Sequence, residues 1–183
     1  MPPGHAACVG QFATFEIPAS KVVGSPSDKA LGRALVEAWR RDGVFNIAMT
    51  VTQQQLIGNC KMASKQFFRK PMKEKEACVD PLSYSGYTAS GKEITNGKAD
   101  YVEIFTATKD LNLDDARVRA GWPCHGPCPW PDVGMREAVT RYMKQLSEIG
   151  EKLLVLIELG LNVPRESLTR YTKDGWHHLR TLR

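Results

Sequence analysis

An α+β fold is predicted by three observations on the chain of 183 residues. Apolar residues repeat at helical spacing over three stretches, near 30–39, 52–68 and 135–157. The segment 80–108 changes texture to Tyr, Ser, Gly and Thr with short strand-like runs, and residues 175–183 carry one more strand pattern. With 42% hydrophobic and 25% charged positions, the composition is that of a globular protein and excludes the disordered and fibrous classes.

The first helix starts at Ser27 or Asp28 as its cap, buries Leu31, Leu35, Ala38 and Trp39, and stops at Gly43. Val44, Phe45 and Ile47 then read as a short buried strand. A second helix from about Thr52 to Phe68 has Leu56, Ile57, Cys60, Ala63, Phe67 and Phe68 as its inner stripe, and Pro71 opens a third helical turn. Strand-like runs follow at Tyr84–Thr88 and Tyr101–Thr106. The Pro-rich segment 122–131 is a rigid connector. Beyond it Met135, Val139, Met143, Leu146, Ile149, Leu153 and Ile157 mark a long amphipathic helix ending near Gly160, and Pro164 fits the first turn of a short helix toward Tyr171.

The chain carries 25 Lys and Arg against 20 Asp and Glu, a net charge of +5 that is mixed along most of its length and does not indicate a nucleic-acid partner. Lys61, Lys65, Arg69, Lys70, Lys73 and Lys75 form the densest cationic stretch and read as a solvated face. The longest apolar run, 152–161, is broken by Glu158 and falls short of the roughly 20 residues of a membrane span. MPPGHAACVGQFATFEIP lacks the basic start and apolar core of a secretory signal, so a cytoplasmic protein with reduced thiols is expected. Five cysteines, Cys8, Cys60, Cys78, Cys124 and Cys128, show no framework spacing. Cys124-His125-Gly126-Pro127-Cys128 supplies too few ligands for a tetrahedral zinc site.

There is no Walker loop, dinucleotide glycine fingerprint, nucleophile elbow or His-Glu-x-x-His motif. His177 and His178 on one strand would project to opposite faces, one buried with a partner and the other exposed. An inward Arg180 on that strand needs an anion, which is either a ligand carboxylate or an acidic side chain elsewhere in the chain. The glycine-bracketed loop Gly91–Gly97 either offers Glu93 and Thr95 to a ligand or is a plain surface loop.

The segments LGRALVEAWRRDGVF, ASKQFF, YSGYTASGKEITNGKADYVEIFTATKDL, AGWPCHGPCPWPD and TKDGWHHLRTLR together resemble the N-terminal half of the 2-oxoglutarate-dependent ethylene-forming enzymes, within the wider Fe(II) and 2-oxoglutarate dioxygenases. The resemblance implies the helical N-terminal region of a non-haem dioxygenase with a few strands, its jelly-roll barrel largely missing. It implies a loose N-terminus over 1–10, the dioxygenase N-terminal region over 11–131, and over 132–183 a long helix and first strand leading into the barrel. The chemistry implied is cleavage of 2-oxoglutarate with dioxygen to ethylene and carbon dioxide, with L-arginine hydroxylated in a parallel reaction that yields succinate. Glu93 matches the carboxylate facing the arginine guanidinium, Thr95 a neighbouring arginine contact, and Arg180 an arginine that holds 2-oxoglutarate.

The resemblance also implies Fe(II), held by a His-x-Asp pair and a distant His. None of His5, His125, His177 and His178 has an acidic residue two positions on, so no metal ligand or catalytic residue is assigned. A jelly roll needs eight strands, and about four candidates occur here. The expectations are therefore an incomplete dioxygenase, inactive alone, and a long helix whose uncovered apolar face favours self-association. Two alternatives stand beside it: a related dioxygenase acting on another small molecule, and a non-catalytic interaction domain.

Overall fold

A computed structural model of the chain describes residues 11–81 and 83–183. The loose terminus expected for 1–10, with His5 and Cys8, lies outside them. In chain order the elements are β1 (Thr14–Phe15), α1 (Pro26–Asp42), β2 (Asn46–Ile47), α2 (Val51–Phe68), α3 (Met72–Glu76), β3 (Val79–Asp80) and β4 (Ser85–Thr88). There follow β5 (Glu93–Thr95), β6 (Lys98–Asp100), β7 (Ile104–Ala107), α4 (Ala116–Arg119), α5 (Val133–Leu161), a 3-10 turn at Thr169–Tyr171 and β8 (Leu179–Leu182). The mixture of helix and strand is that expected. The strands form one four-stranded and two two-stranded sheets, and no closed barrel exists among the described residues.

The chain divides into two compact units, one made of the chain through Thr50 with Glu148–Lys173, the other of Val51–Ser147 with Asp174–Arg183. In the first, β1 and β2 pair in parallel, and Val22, Leu35 and Leu156 form a core supported by Phe15 and Phe45. Helix α1 begins two to three residues earlier than the sequence suggests. Ser25 is its cap, Pro26 takes the first helical position, and Asp28 sits third, where its carboxylate accepts from the backbone N–H groups of Val23, Gly24 and Ser25. The expected buried strand is shorter and less buried: β2 holds only Asn46 and Ile47, Phe45 and Ile47 are half-buried, and Val44 is exposed.

Helix α5 ends at Leu161, beside the Gly160 where the sequence places its end, and Asn162 follows in the left-handed conformation with φ +55°. Gly160 itself makes a close crossing with α1. A β-carbon at Gly160 would lie 2.2 Å from the carbonyl oxygen of Gly32, and one at Gly32 would lie 2.2 Å from that of Leu156. Glu158, which interrupts the apolar run, is buried. Its carboxylate accepts from the backbone N–H groups of Glu166, Leu168 and Thr169 and from the Thr169 hydroxyl. These residues form turns and the 3-10 turn rather than the helix expected after Pro164.

The second unit has its core at Phe67, Phe68, Tyr87, Phe105, Met135 and Val139. Ring contacts of 4.9–5.9 Å join Phe67 to Phe68, Tyr87 and Phe105. The stripe of α5 is covered rather than open: Met135, Val139, Met143, Ile149 and Ile157 are all buried, and Leu146 and Leu153 are half-buried. The uncovered apolar helix face expected from the sequence is therefore absent among the described residues. Lys75 also departs from the solvated face assigned to it. It is 4% exposed and pairs with Glu103, whose carboxylate also accepts from the Tyr87 hydroxyl at 2.5 Å. No described helix is long and apolar enough to cross a membrane.

Candidate functional site

The four-stranded sheet has the order β3-β4-β7-β8, antiparallel throughout. Its register places Val79 beside Gly86, Gly86 beside Thr106, and Thr106 beside Arg180. Cross-strand partners share a face, so these four residues form one row across the sheet. All four line a cleft of about 580 Å³ in the second unit. Gly86, at φ +101°, has no room for a side chain: a β-carbon there would lie 2.2 Å from the Cys78 carbonyl oxygen.

Glu93 reaches the same cleft from the hairpin β5–β6. That hairpin turns at Asn96-Gly97, with φ of +50° and +76°, the left-handed pair that a two-residue turn between twisted strands requires. Nη2 of Arg180 lies 2.6 Å from one carboxylate oxygen of Glu93 and 2.7 Å from the other. Both side chains are about one-third exposed, at 32% each. The structure thus brings together Glu93 and Arg180, each the other's ion-pair partner. The Nε–H of Arg180 is buried without a partner. Thr95 is not in the lining: it is exposed, and its hydroxyl donates to Asp100 at 2.7 Å.

The approach to β8 is tied down at two points. Asp174 accepts from Lys109 and from Arg117, and the indole N–H of Trp176 donates to the Cys124 carbonyl at 2.7 Å. These cations, with hydrogen bonds from Lys109 first, hold the Asp174 carboxyl below its ordinary range. Strand β8 accordingly begins at Leu179, not at Gly175. His177 and His178 precede it, and both are exposed, with the His178 ring 5.3 Å from that of Trp176.

The Pro-rich connector is organised by Asp110, which accepts from the Cys128 N–H and from the Trp130 indole N–H, both at 2.9 Å. Cys128 is buried against Thr108, and burial pushes its thiol up, out of the reactive range. Among the described residues no group of three His, Cys, Asp or Glu side chains is placed to hold a metal ion. The cleft residues Glu93, His125 and Arg180 therefore do not make up an iron-binding donor set, and what they offer is a carboxylate, an imidazole and a guanidinium.

Sequence reasoning missed two features here. The buried group of Lys75, Glu103 and Tyr87 fixes α3 to the strands that carry the cleft, and its only sequence signal is an unremarkable Lys-Glu-Lys-Glu run. Asn96-Gly97 was the available sign of the hairpin that sets Glu93 on an ordered strand.

The family described as non-haem dioxygenase in morphine synthesis, N-terminal, matches residues 17–133. The 2-oxoglutarate-dependent ethylene/succinate-forming enzyme of Ralstonia nicotianae is 45% identical over 173 residues, covering 94% of this chain and 50% of that protein. Leucoanthocyanidin dioxygenase 1 of Oryza sativa subsp. indica is 30% identical over 145 residues, covering 75% of this chain and 35% of that protein. The chain thus spans half or less of the length of these relatives. In fold it is similar to a 2OG-Fe(II) oxygenase family protein from Caulobacter crescentus, with a TM-score of 0.72 at 19% identity, over 93% of this chain and 55% of that one. It is also similar to the Arabidopsis thaliana dioxygenase for auxin oxidation in its 2-oxoglutarate complex, with a TM-score of 0.62 at 19% identity, over 93% and 56%. The matched stretch covers most of the described chain and includes the hairpin that carries Glu93, and the chain belongs to the non-haem dioxygenase N-terminal family.

Proposed function

We propose that this chain is the ligand-reading part of a 2-oxoglutarate-dependent, ethylene/succinate-forming dioxygenase. In this reading Arg180 holds a carboxylate of 2-oxoglutarate and Glu93 holds the guanidinium of L-arginine, with Thr95 beside it at the hairpin tip. The observation that carries it is the Glu93–Arg180 pair in the cleft. Each residue has the charge and shape that complements one of the two ligands, and each now serves as the other's partner. A guanidinium arriving at Glu93 and a carboxylate arriving at Arg180 replace one ion pair by two, so neither protein charge is left unpaired. The binding energy of both ligands is reduced by the cost of parting the pair, which is modest because the groups are partly solvated.

Iron and dioxygen belong to the same reading through the family, but among the described residues no three side chains are grouped to hold the metal. This chain's share is recognition: Arg180 orients 2-oxoglutarate in the cleft, and Glu93 reads the cationic substrate. Alone, the chain is inactive in this reading. The test is product analysis of a protein joining this chain to the C-terminal half of the Ralstonia enzyme, supplied with Fe(II), 2-oxoglutarate, L-arginine and dioxygen. Ethylene and succinate are expected, and absence of both together with unconsumed arginine overturns the proposal. Arginine left intact while 2-oxoglutarate turns over with another small molecule would favour a different substrate at Glu93.

A further inference from the structure

The cleft has a wall that the proposed ligand contacts leave unused. Trp122 and His125, from the loop after α4, line the same cavity as Glu93 and Arg180. Trp122 is 55% exposed, although an indole is among the costliest side chains to leave in water. The loop that holds it there is ordered by specific contacts. Gly121 turns the chain at φ +68°, and the N–H of Trp122 donates to the Arg117 carbonyl at 2.9 Å. Cys124 adopts φ +60°, unusual for a residue with a side chain, and its carbonyl is fixed by the Trp176 indole N–H. Nδ1 of His125 lies 2.8 Å from the Pro123 carbonyl oxygen, so in the neutral ring this nitrogen carries the proton. The His125 ring meets the Trp122 indole edge-on, with centroids 5.6 Å apart and planes at 84°. Arg117, at the base of the loop, is neutralised by Asp115 and Asp174.

A carboxylate and a braced, solvent-facing indole in one cavity are complementary to a planar cation, which forks onto the one and stacks on the other. We infer that Trp122 is a specificity-determining residue of this cleft, stacking on the guanidinium group of the ligand whose N–H groups Glu93 accepts, with His125 bracing the indole. This rests on the proposed function and deepens it by naming the feature that selects a guanidinium over a compact ammonium. The stack makes no demand on 2-oxoglutarate, whose carboxylate is read by Arg180.

The test is calorimetric titration of L-arginine, agmatine, L-lysine and 2-oxoglutarate into the wild type, Trp122→Ala and Trp122→Phe, each first shown by circular dichroism to be folded. Trp122→Ala is expected to weaken arginine binding about tenfold and Trp122→Phe about threefold or less, with 2-oxoglutarate affinity unchanged in both. Lysine is expected to bind the wild type more weakly than arginine and to be insensitive to Trp122→Ala. Arginine affinity unchanged in Trp122→Ala, or 2-oxoglutarate affinity lost in step with it, overturns the inference and leaves the proposed function standing. If arginine fails to bind but agmatine binds and is lost in Trp122→Ala, the stacking wall stands and the arginine reading falls. If no guanidinium compound binds the wild type, both fall.

Discussion

Arg180 on β8 and Glu93 on β5 are 87 residues apart in sequence, yet one guanidinium nitrogen touches both carboxylate oxygens, at 2.6 and 2.7 Å. Two oxygens on one nitrogen is not the two-nitrogen fork of a saturated arginine–carboxylate pair, and the buried Nε–H stays unpartnered. The pair is therefore formed but not optimal.

This geometry predicts opposite signs for two substitutions. Glu93→Gln frees Arg180 from a competitor, so 2-oxoglutarate binding is expected to tighten slightly, about two- to fivefold for a partly exposed pair. Arg180→Gln removes the cationic partner and is expected to weaken 2-oxoglutarate binding by tenfold or more, in the range of a lost charge-assisted contact of about 1.5–3 kcal/mol. Calorimetric titration checks both. A loss of 2-oxoglutarate affinity in Glu93→Gln would show that the carboxylate supports the anion site rather than competing for it.

The Lys75–Glu103–Tyr87 group predicts a strongly non-additive pair of substitutions. Lys75 and Glu103 are removed from water, their side chains 5% and 14% exposed, and Glu103 accepts from both Lys75 and Tyr87. Burial alone would raise the Glu103 carboxyl, but these hydrogen bonds hold it below its ordinary value. Glu103→Leu alone strands the buried Lys75 charge, at a cost of about 3–5 kcal/mol, whereas Lys75→Met leaves Glu103 with the Tyr87 hydroxyl and with Arg183 at 3.4 Å and is expected to cost less. The double substitution is expected to recover most of that loss in urea unfolding. Burial and the neighbouring carboxylate raise the Tyr87 phenol, so the contribution from its neutral form is complete below about pH 10 and falls as pH rises through the folded value. Tyr87→Phe is expected to remove that alkaline loss.

How far these features were legible depended on how local their physics is. Helical periodicity placed α1, α2 and α5 because a buried stripe must repeat with the turn of the helix, whatever the partner. The residues that misled were those whose role is set by a distant partner. Lys75 read as solvated because Glu103 lies 28 residues on. The packing role of Gly160 was hidden for a different reason: a glycine needed for left-handed φ and one needed for close packing look identical in sequence. The candidate site was legible residue by residue through resemblance, but that Glu93 and Arg180 contact each other followed only from the register of β7 with β8 and the Asn96-Gly97 turn. Trp122 carried no sequence signal, since an exposed indole is distinguished only by what surrounds it.

Glu158 gives a prediction about acid stability. It is 3% exposed, and burial alone would raise its carboxyl, yet three backbone N–H groups and the Thr169 hydroxyl hold it below the ordinary value. A depressed folded value means that the stabilisation is complete above the unfolded carboxylate range near pH 4.3 and is lost as pH falls through the folded value. Glu158→Gln keeps the shape but loses the charge, and a cost of about 1.5–3 kcal/mol is expected at neutral pH. Hydrogen exchange of the 166, 168 and 169 amides reads the effect directly. Their protection should fall in Glu158→Gln, and in wild type only on acidification. Unchanged protection in the variant would show that the turn is held by its own backbone.

The crossing of α1 and α5 makes the most local prediction. Gly32 and Gly160 face each other so closely that a β-carbon on either would fall 2.2 Å from a backbone oxygen, and at Gly160 it would also meet a Val36 methyl at 2.9 Å. Backbone cannot yield as a flexible side chain can, so the helices must separate, uncovering Leu35 and Leu156, both at 0% exposure. In an open helix interior glycine to alanine would stabilise by up to about 1 kcal/mol, because alanine is the better helix former. At this crossing the sign reverses, and Gly32→Ala or Gly160→Ala is expected to cost about 2–3 kcal/mol. Gly58 in α2 is the internal control, since a β-carbon there meets nothing within 4 Å. Gly58→Ala should raise the unfolding midpoint while the other two lower it, and a common direction for all three would show that helix propensity, not the crossing, governs these sites.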